Sequence, residues 1–287
     1  MDKVVSQRRY RSVVLLICTT LYLSIVAQSC WASSKETYRF AVVPQFSPAR
    51  VFQIWQPILQ QLNNRLPFTL KLETASDIPE FERQSLLGHF DFAFVNPYYA
   101  PKLYDAVGYQ PVLADKKGAL RGIIVVRRDA EIAGPTALQG EVMAFPAPNA
   151  LGASMMIRRD LETRFNTTAI PKYVHSHASV YLNVALGIVT AGGGVNKTFS
   201  QQPDKVRNAL KVIYQTEIIP SHPVVVHPRV PEQVKQAVVD ELFNMAQNDS
   251  GRALLGKVPV YQPGPVSFSD YRLLQQSGLE AYYEEQR

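Results

Sequence analysis

Apolar and polar positions along this chain change period several times, and each change marks an element. Tyr38–Val43 (YRFAVV) is a short, mostly apolar run that predicts a strand ending at Pro44. Val51, Trp55, Ile58, Leu59 and Leu62 then repeat at helical spacing, with Pro57 predicting a kink or restart within that helix. Phe68, Leu70 and Leu72 alternate with Thr69, Lys71 and Glu73, the pattern of a strand with one face in a core. Asp77 followed by Pro79 and Glu80 reads as an N-cap and first turn, opening a helix to about Leu87. Phe90–Val95 (FDFAFV) predicts a third, buried strand, stopped by Asn96-Pro97. Strands alternating with helices in this way imply a parallel sheet covered by helices.

A second unit of the same kind begins at Val142. Val142–Phe145 is a short apolar strand; Pro146, Pro148 and Gly152 break it into a tight loop, and from Ala153 the pattern turns helical, with Met156 and Leu161 on one face. Tyr173-Val174, a helix around Val180–Ile188 and a Gly192-Gly193-Gly194 turn follow. Two extended apolar segments, Gly122–Arg127 and Pro223–His227, sit where crossovers between two lobes belong. After the second, the helix of Val234, Val238, Leu242 and Met245 returns the chain to the first lobe, and Phe268–Tyr283 predicts a final helix. The strand–loop–helix at 142–159 points free backbone N–H groups and the positive end of a helix dipole at one spot, a seat for an anion. The same pattern also serves as an ordinary βα turn.

Composition narrows the reading. The 287 residues are 46% hydrophobic and 19% charged, enough for one large or two medium globular domains. The net charge is +6. Part of it belongs to a targeting segment: Lys3, Arg8, Arg9 and Arg11 precede a stretch without charge from Ser12 to Ser34, and Cys30-Trp31-Ala32 before Ser33 offers small residues at −3 and −1 of a cleavage site. Residues 1–32 therefore read as a signal peptide cleaved near Ser33, with an uncleaved membrane anchor as the alternative. Ala27-Gln28-Ser29-Cys30 lacks the leading Leu of a lipobox. Cys18 and Cys30 are the only cysteines, so the cleaved chain has no disulfide framework and no thiol nucleophile.

Candidate chemistry is sparse. No Lys/Arg run or basic-aromatic stripe supports nucleic-acid binding. Paired carboxylates, a nucleophile elbow and Gly-x-Gly-x-x-Gly are absent, so the chain does not read as an enzyme, and no cofactor is expected. His175 and His177 would share a face if extended, but no third ligand stands at a recognisable spacing, so no metal is expected. Tyr98 and Tyr99 follow a strand directly, where open α/β sheets bind ligands.

Five stretches carry a family resemblance: FDFAFVNPYYA (90–100), RGIIVVRRD (121–129), LQGEVMAF (138–145), VHSHAS (174–179) and LKVIYQTEIIPSHPVVV (210–226). In order and spacing they resemble the phosphate/phosphite/phosphonate-binding components of ABC transporters, type II periplasmic binding proteins. The resemblance implies an α/β fold of two lobes, each a mostly parallel sheet flanked by helices, joined by two hinge crossovers. Residues 33–124 and 225–287 would form lobe 1 and residues 125–224 lobe 2. It implies a periplasmic, monomeric protein that closes over a small anionic ligand and meets an ABC permease, or alternatively informs a membrane sensor kinase.

The loop is where the chain departs from the family. The family's Ser-Thr-Ser-Gly run corresponds to Asn149-Ala150-Leu151-Gly152, which loses hydroxyl donors, and its acidic residue in Val-Asp-Ala-Gly corresponds to Thr190. His177 matches its phosphonate-contacting histidine. Expected ligand contacts in lobe 2 are Asn149, Ala150, Leu151, Gly152, Ala153, Ser154, His177 and Asn196. Those in lobe 1 are Gln45, Phe46, Asn96, Tyr98 and Tyr99.

Export is directly measurable. Intact mass of the protein from its native host should correspond to a chain beginning near Ser33; a mass that retains residues 1–32, or acyl chains on Cys30, contradicts this reading.

Overall fold

The computed structural model describes residues 35–118, 120–258 and 260–284. The targeting segment and its cleavage site lie outside them. Among the described residues, no helix is long and apolar enough to cross a membrane.

The chain opens with β1 (Thr37–Val42), α1 (Pro48–Asn63), β2 (Thr69–Thr74), α2 (Ile78–Leu86), β3 (Phe92–Phe94), α3 (Tyr99–Val107) and β4 (Gln110–Asp115). It crosses to β5 (Gly122–Arg127), β6 (Val142–Phe145), α4 (Met156–Phe165), β7 (Ile170–Tyr173), α5 (His177–Ala185), β8 (Ala191–Val195), α6 (Asn196–Ser200), α7 (Asp204–Ala209) and β9 (Leu210–Gln215). It returns through β10 (Pro223–Val226), α8 (Glu232–Ala246), α9 (Asp249–Leu255), β11 (Pro263–Pro265) and α10 (Ser269–Arg272). Two sheets result, one ordered β11-β4-β10-β3-β1-β2 and the other β7-β6-β8-β5-β9.

Both sheets are mixed. The βαβ cores are parallel, β2 and β3 beside β1, and β7 and β8 beside β6. The strands that follow each crossing run against them: β10 is antiparallel to β3 and β4, and β5 to β8 and β9. Gly122–Arg127 and Pro223–Val226 are thus sheet strands, and the crossovers lie just before them, at 116–121 and 216–222. An isolated bridge, Leu120 with Ile219, ties the two crossovers together.

Local signals account for most elements. Asp77 caps α2 by accepting from the Glu80 N–H at 2.9 Å. α1 runs through Pro57 without interruption and buries Val51, Ile54, Trp55, Ile58, Leu59 and Leu62. The expected final helix is instead a single α-helical turn followed by two 3₁₀ turns, Leu273–Gln276 and Glu280–Tyr282. Gly278 separates them at φ +70, a left-handed conformation that ends the run.

The triple glycine is not a turn. Gly192, Gly193 and Gly194 form the middle of β8, fully buried. A Cβ at Gly193 would lie 2.1 Å from the Ala153 carbonyl oxygen, one at Gly194 would lie 2.1 Å from the Tyr181 hydroxyl, and one at Gly122 on β5 would lie 2.1 Å from the Gly152 carbonyl oxygen. The turn before α4 therefore lies directly on a bare patch of sheet. It is a π-helical turn, Leu151–Met155, whose first bonds run from the N–H groups of Ser154 and Met155 to the Ala150 carbonyl.

Gly193→Ala should accordingly destabilise the protein by about 1–3 kcal/mol, the cost of overpacking a core that cannot yield. Gly134→Ala, where nothing lies within 4 Å of the added Cβ, should stay within about 0.5 kcal/mol of the parent. Urea titration of both variants checks the contrast.

Candidate functional site

The π-helical turn faces lobe 1 across a small cavity. Ala150, Leu151, Gly152, Ala153, His177 and Val195 line it from lobe 2; Val43, Gln45, Ile78 and Asn96 line it from lobe 1, with Leu120 and His222 from the crossovers. Its volume is about 20 Å³. That is room for a water molecule rather than a tetrahedral oxyanion, so the walls must part to admit one. N–H groups at a helix start have no intrahelical acceptor, and those of Leu151, Gly152 and Ala153 belong to this first turn. The helix dipole adds partial positive charge at the same end.

Two buried histidines, His177 and His222, share the cavity. His177, the first residue of α5, is 3% exposed, and its Nδ1 lies 3.2 Å from Thr198 Oγ1. Burial lowers its pKa to about 4. His222 stacks on Phe94 with ring centroids 5.3 Å apart, and its Nε2 lies 2.9 Å from Gln45 Nε2. With Gln45 donating, the His222 proton sits on Nδ1. Burial, then the neighbouring His177, lowers the His222 pKa to about 3. Both rings are neutral at pH 7, because desolvation penalises the imidazolium and no carboxylate compensates for it.

The expected contacts divide. Gln45, Asn96, Ala150, Leu151, Gly152, Ala153 and His177 line the small cavity. Asn96 Oδ1 accepts from the Tyr99 N–H at 2.8 Å, so its NH₂ group is what it can offer a ligand. Asn196 lies on a separate, larger cleft.

Phe46, Tyr98, Tyr99, Asn149 and Ser154 line neither. Phe46 packs on the lobe 1 core. Tyr98 and Tyr99 are each 1% exposed within that core; the Tyr98 hydroxyl donates to Glu280 at 3.0 Å and the Tyr99 hydroxyl to the Glu82 carbonyl at 2.7 Å. Strand β3 ends two residues before Asn96, and the two hydroxyls that follow go to Glu280 of the C-terminal segment and Glu82 of α2 instead of the cleft. Ser154 is fully buried, and its Oγ has no hydrogen-bond partner among the described residues. His175 is exposed at φ +67 while His177 is buried, so the two histidines do not present one face.

Asn149 serves a different purpose. Its NH₂ group donates to Glu82 Oε2 at 2.7 Å and to the Glu284 carbonyl at 2.7 Å, and its Oδ1 accepts from the Glu284 N–H at 2.8 Å. It therefore clips the lobe 2 loop to α2 and to the C-terminal segment. The same segment is held by Arg158, which donates to the Pro148 carbonyl at 2.8 Å and the Tyr282 carbonyl at 2.5 Å. Tyr173 donates to Glu284 at 3.0 Å. Residues 277–284 thus form a strap between the lobes. Glu82 at its centre is 1% exposed, and burial raises its pKa to about 8.

Sequence reasoning did not single out Val43, Ile78, Leu120, Val195 or His222. The four apolar residues are indistinguishable from core by type. His222 did carry a signal, since it stands in Pro220-Ser221-His222-Pro223 between two strands, where a lone histidine has a backbone break on either side. The larger cleft, about 880 Å³, opens beside the small cavity and shares Gln45, Leu120, Val195 and His222 with it.

Glu82 sets a pH dependence. The folded chain holds its proton up to about pH 8, whereas an unfolded glutamate loses it near 4.5. Stability from this group is complete below the unfolded value and is lost as pH rises toward the folded one. Between pH 6.5 and 8, where both histidines are already neutral, wild type should lose about 2 kcal/mol relative to Glu82→Gln. Parallel pH series of chemical denaturation for the two proteins measure that difference; parallel curves would contradict the assignment.

The family model for the ABC transporter phosphonate periplasmic substrate-binding protein matches residues 40–271. A sequence search of curated proteins finds no match. Among solved structures, a binding protein component of an ABC phosphonate transporter from Pseudomonas aeruginosa is similar at TM-score 0.76 and 16% identity, over 86% of each chain. A Prochlorococcus marinus protein in complex with methylphosphonate is similar at TM-score 0.78 and 11% identity, over 86% of this chain and 98% of that one. A Xanthomonas citri protein bound to chloride is similar at TM-score 0.67 and 15% identity, over 86% and 98%. At these identities the structural likeness establishes the fold, two α/β lobes of the type II binding-protein kind, and the family match extends over most of the chain. The chain belongs to the family of periplasmic substrate-binding proteins of phosphonate ABC transporters.

Proposed function

We propose that this protein closes two lobes over a small oxyanion of the phosphate or phosphonate class and presents the closed form to an ABC permease. The observation that carries this reading is the cavity at the turn. Leu151–Ala153, whose N–H groups start the turn and so have no intrahelical acceptor, and His177 line it from lobe 2, opposite Gln45 and Asn96 of lobe 1. Neutral imidazoles and backbone amides suit an anion, because they donate hydrogen bonds without a carboxylate to repel it. Methylphosphonate in a structural neighbour supports the choice of probe.

The boundaries expected at 124/125 and 224/225 cut through β5 and β10, so the closing bodies divide instead at the crossovers: residues up to 115 with those from 223 onward form one, residues 122–215 the other, hinged at 116–121 and 216–222. Closure is worth only the ligand's additional contacts in the closed state. Lobe 2 brings the amides and His177, and lobe 1 brings Gln45 and Asn96, so an anion held by both favours closure. The family is periplasmic, and the signal peptide expected at residues 1–32 is consistent with export. Transport has the family behind it, whereas nothing in the site favours a sensor kinase.

Titration calorimetry with methylphosphonate and inorganic phosphate tests the reading. His177→Ala should weaken binding by about 1–3 kcal/mol, the range for losing a hydrogen bond to a charged group. Gly152→Asp should abolish it, by setting a carboxylate against the anion. A Cβ at Gly152 meets Val195 at 3.0 Å, so Gly152→Ala serves as the steric control and should retain most of the affinity. If Gly152→Asp folds and binds as wild type does, the anion sits elsewhere.

A further inference from the structure

The larger cleft has a charge character of its own. Lys117, from the first crossover, and Lys197, from α6 of lobe 2, both line it. Amides of Gln45, Asn196 and Gln262 line it as well. Its one carboxylate, Asp115, is 3% exposed and saturated by backbone: Oδ1 accepts from Lys117 N–H at 3.1 Å and Gln262 N–H at 3.0 Å, and Oδ2 from Tyr261 N–H at 3.0 Å. Lys197 Nζ donates to the Tyr261 hydroxyl and, at 3.4 Å, to the Gly256 carbonyl. Neither lysine is within ion-pair distance of a carboxylate among the described residues. Two lysines without a paired carboxylate thus line the cleft, and among the described residues its one lining acid is turned to backbone N–H groups.

This cleft and the small cavity are adjacent and share Gln45, Leu120, Val195 and His222. Once its walls part, the small cavity takes no more than a compact head, while the cleft beside it, about 880 Å³, has room for several further heavy atoms. We infer that the ligand is two-headed: an oxyanion group on the amides of Leu151–Ala153 and, on a short tail, a second anionic group between Lys117 and Lys197. This rests on the proposed function for its first half. The lysines alone carry the second half. A cationic tail would meet two like charges, and an uncharged tail would leave both ammonium groups without a counter-charge.

Calorimetry with three probes that share one head decides it: methylphosphonate, phosphonoacetate with an anionic tail, and aminomethylphosphonate with a cationic one. The wild type should bind phosphonoacetate about tenfold more tightly than methylphosphonate, and aminomethylphosphonate more weakly than either. Lys117→Gln/Lys197→Gln, with folding checked by circular dichroism, should erase the preference for phosphonoacetate and leave methylphosphonate binding unchanged. Added salt should shrink the preference in wild type but not in the variant. Equal or weaker affinity for phosphonoacetate in wild type, or a preference that survives in the double variant, overturns this inference and leaves the proposed function standing. Failure of all three probes and of phosphate to bind overturns both.

Discussion

Everything in the site depends on how closely one turn of backbone can lie on one sheet. The Gly152 carbonyl oxygen lies where a Cβ of Gly122 would be, and the Ala153 carbonyl oxygen where a Cβ of Gly193 would be. With side chains at those two positions the turn would ride higher, and its amides would leave the cavity. Strands normally gain from β-branched side chains, and glycine in a strand costs backbone entropy. Here β8 gives up that gain over three consecutive residues: Gly193 lets the Ala153 carbonyl lie on the strand, while Gly192 and Gly194 make room for Val180, Val184 and Tyr181 of α5.

The apolar residues of the turn extend the lobe 1 core across the cleft. Leu120, Ala150, Leu151, Ala153, Met155 and Val195 belong to the same buried cluster as Phe40, Trp55 and Phe94. At this turn the chain presents apolar side chains, so the polar groups facing the cavity from lobe 2 are backbone amides and the His177 imidazole. Burial of the two rings follows from the same packing, and it keeps them neutral. Selectivity of such a site rests on shape and donor direction more than on fixed charge. Charge enters only at the rim, with Lys117 and Lys197.

The strap adds a second tie between the lobes. Asn149 satisfies three groups at once, the Glu82 carboxyl and both backbone groups of Glu284, while Arg158 holds the carbonyls of Pro148 and Tyr282. Any opening of the cleft has to exchange these bonds for water. Hydrogen bonds exchanged in this way cost little net free energy each, so the strap is compatible with the proposed opening and closing.

The alternation of apolar runs and helical stripes was sufficient to determine an α/β fold in two units, because burial of one face imposes its period on the sequence. Asp77 as an N-cap and the loop that breaks β6 from α4 were also legible, because capping and Pro/Gly breaks act locally. Tertiary structure decided what local pattern could not. Pro57 sits in an unbroken helix, and Gly192-Gly193-Gly194 is strand, since what matters there is what packs against the backbone. Tyr98 and Tyr99 read as pocket walls but are buried, their hydroxyls donating to Glu280 and to the Glu82 carbonyl. Asn149 reads as a ligand donor but is consumed by Glu82 and Glu284, partners 67 and 135 residues away. His222 and Lys117 acquire their places only when two crossovers distant in sequence are brought side by side. Direction of a side chain, and competition for its hydrogen bonds, are properties of the folded neighbourhood and leave no period in the sequence to read.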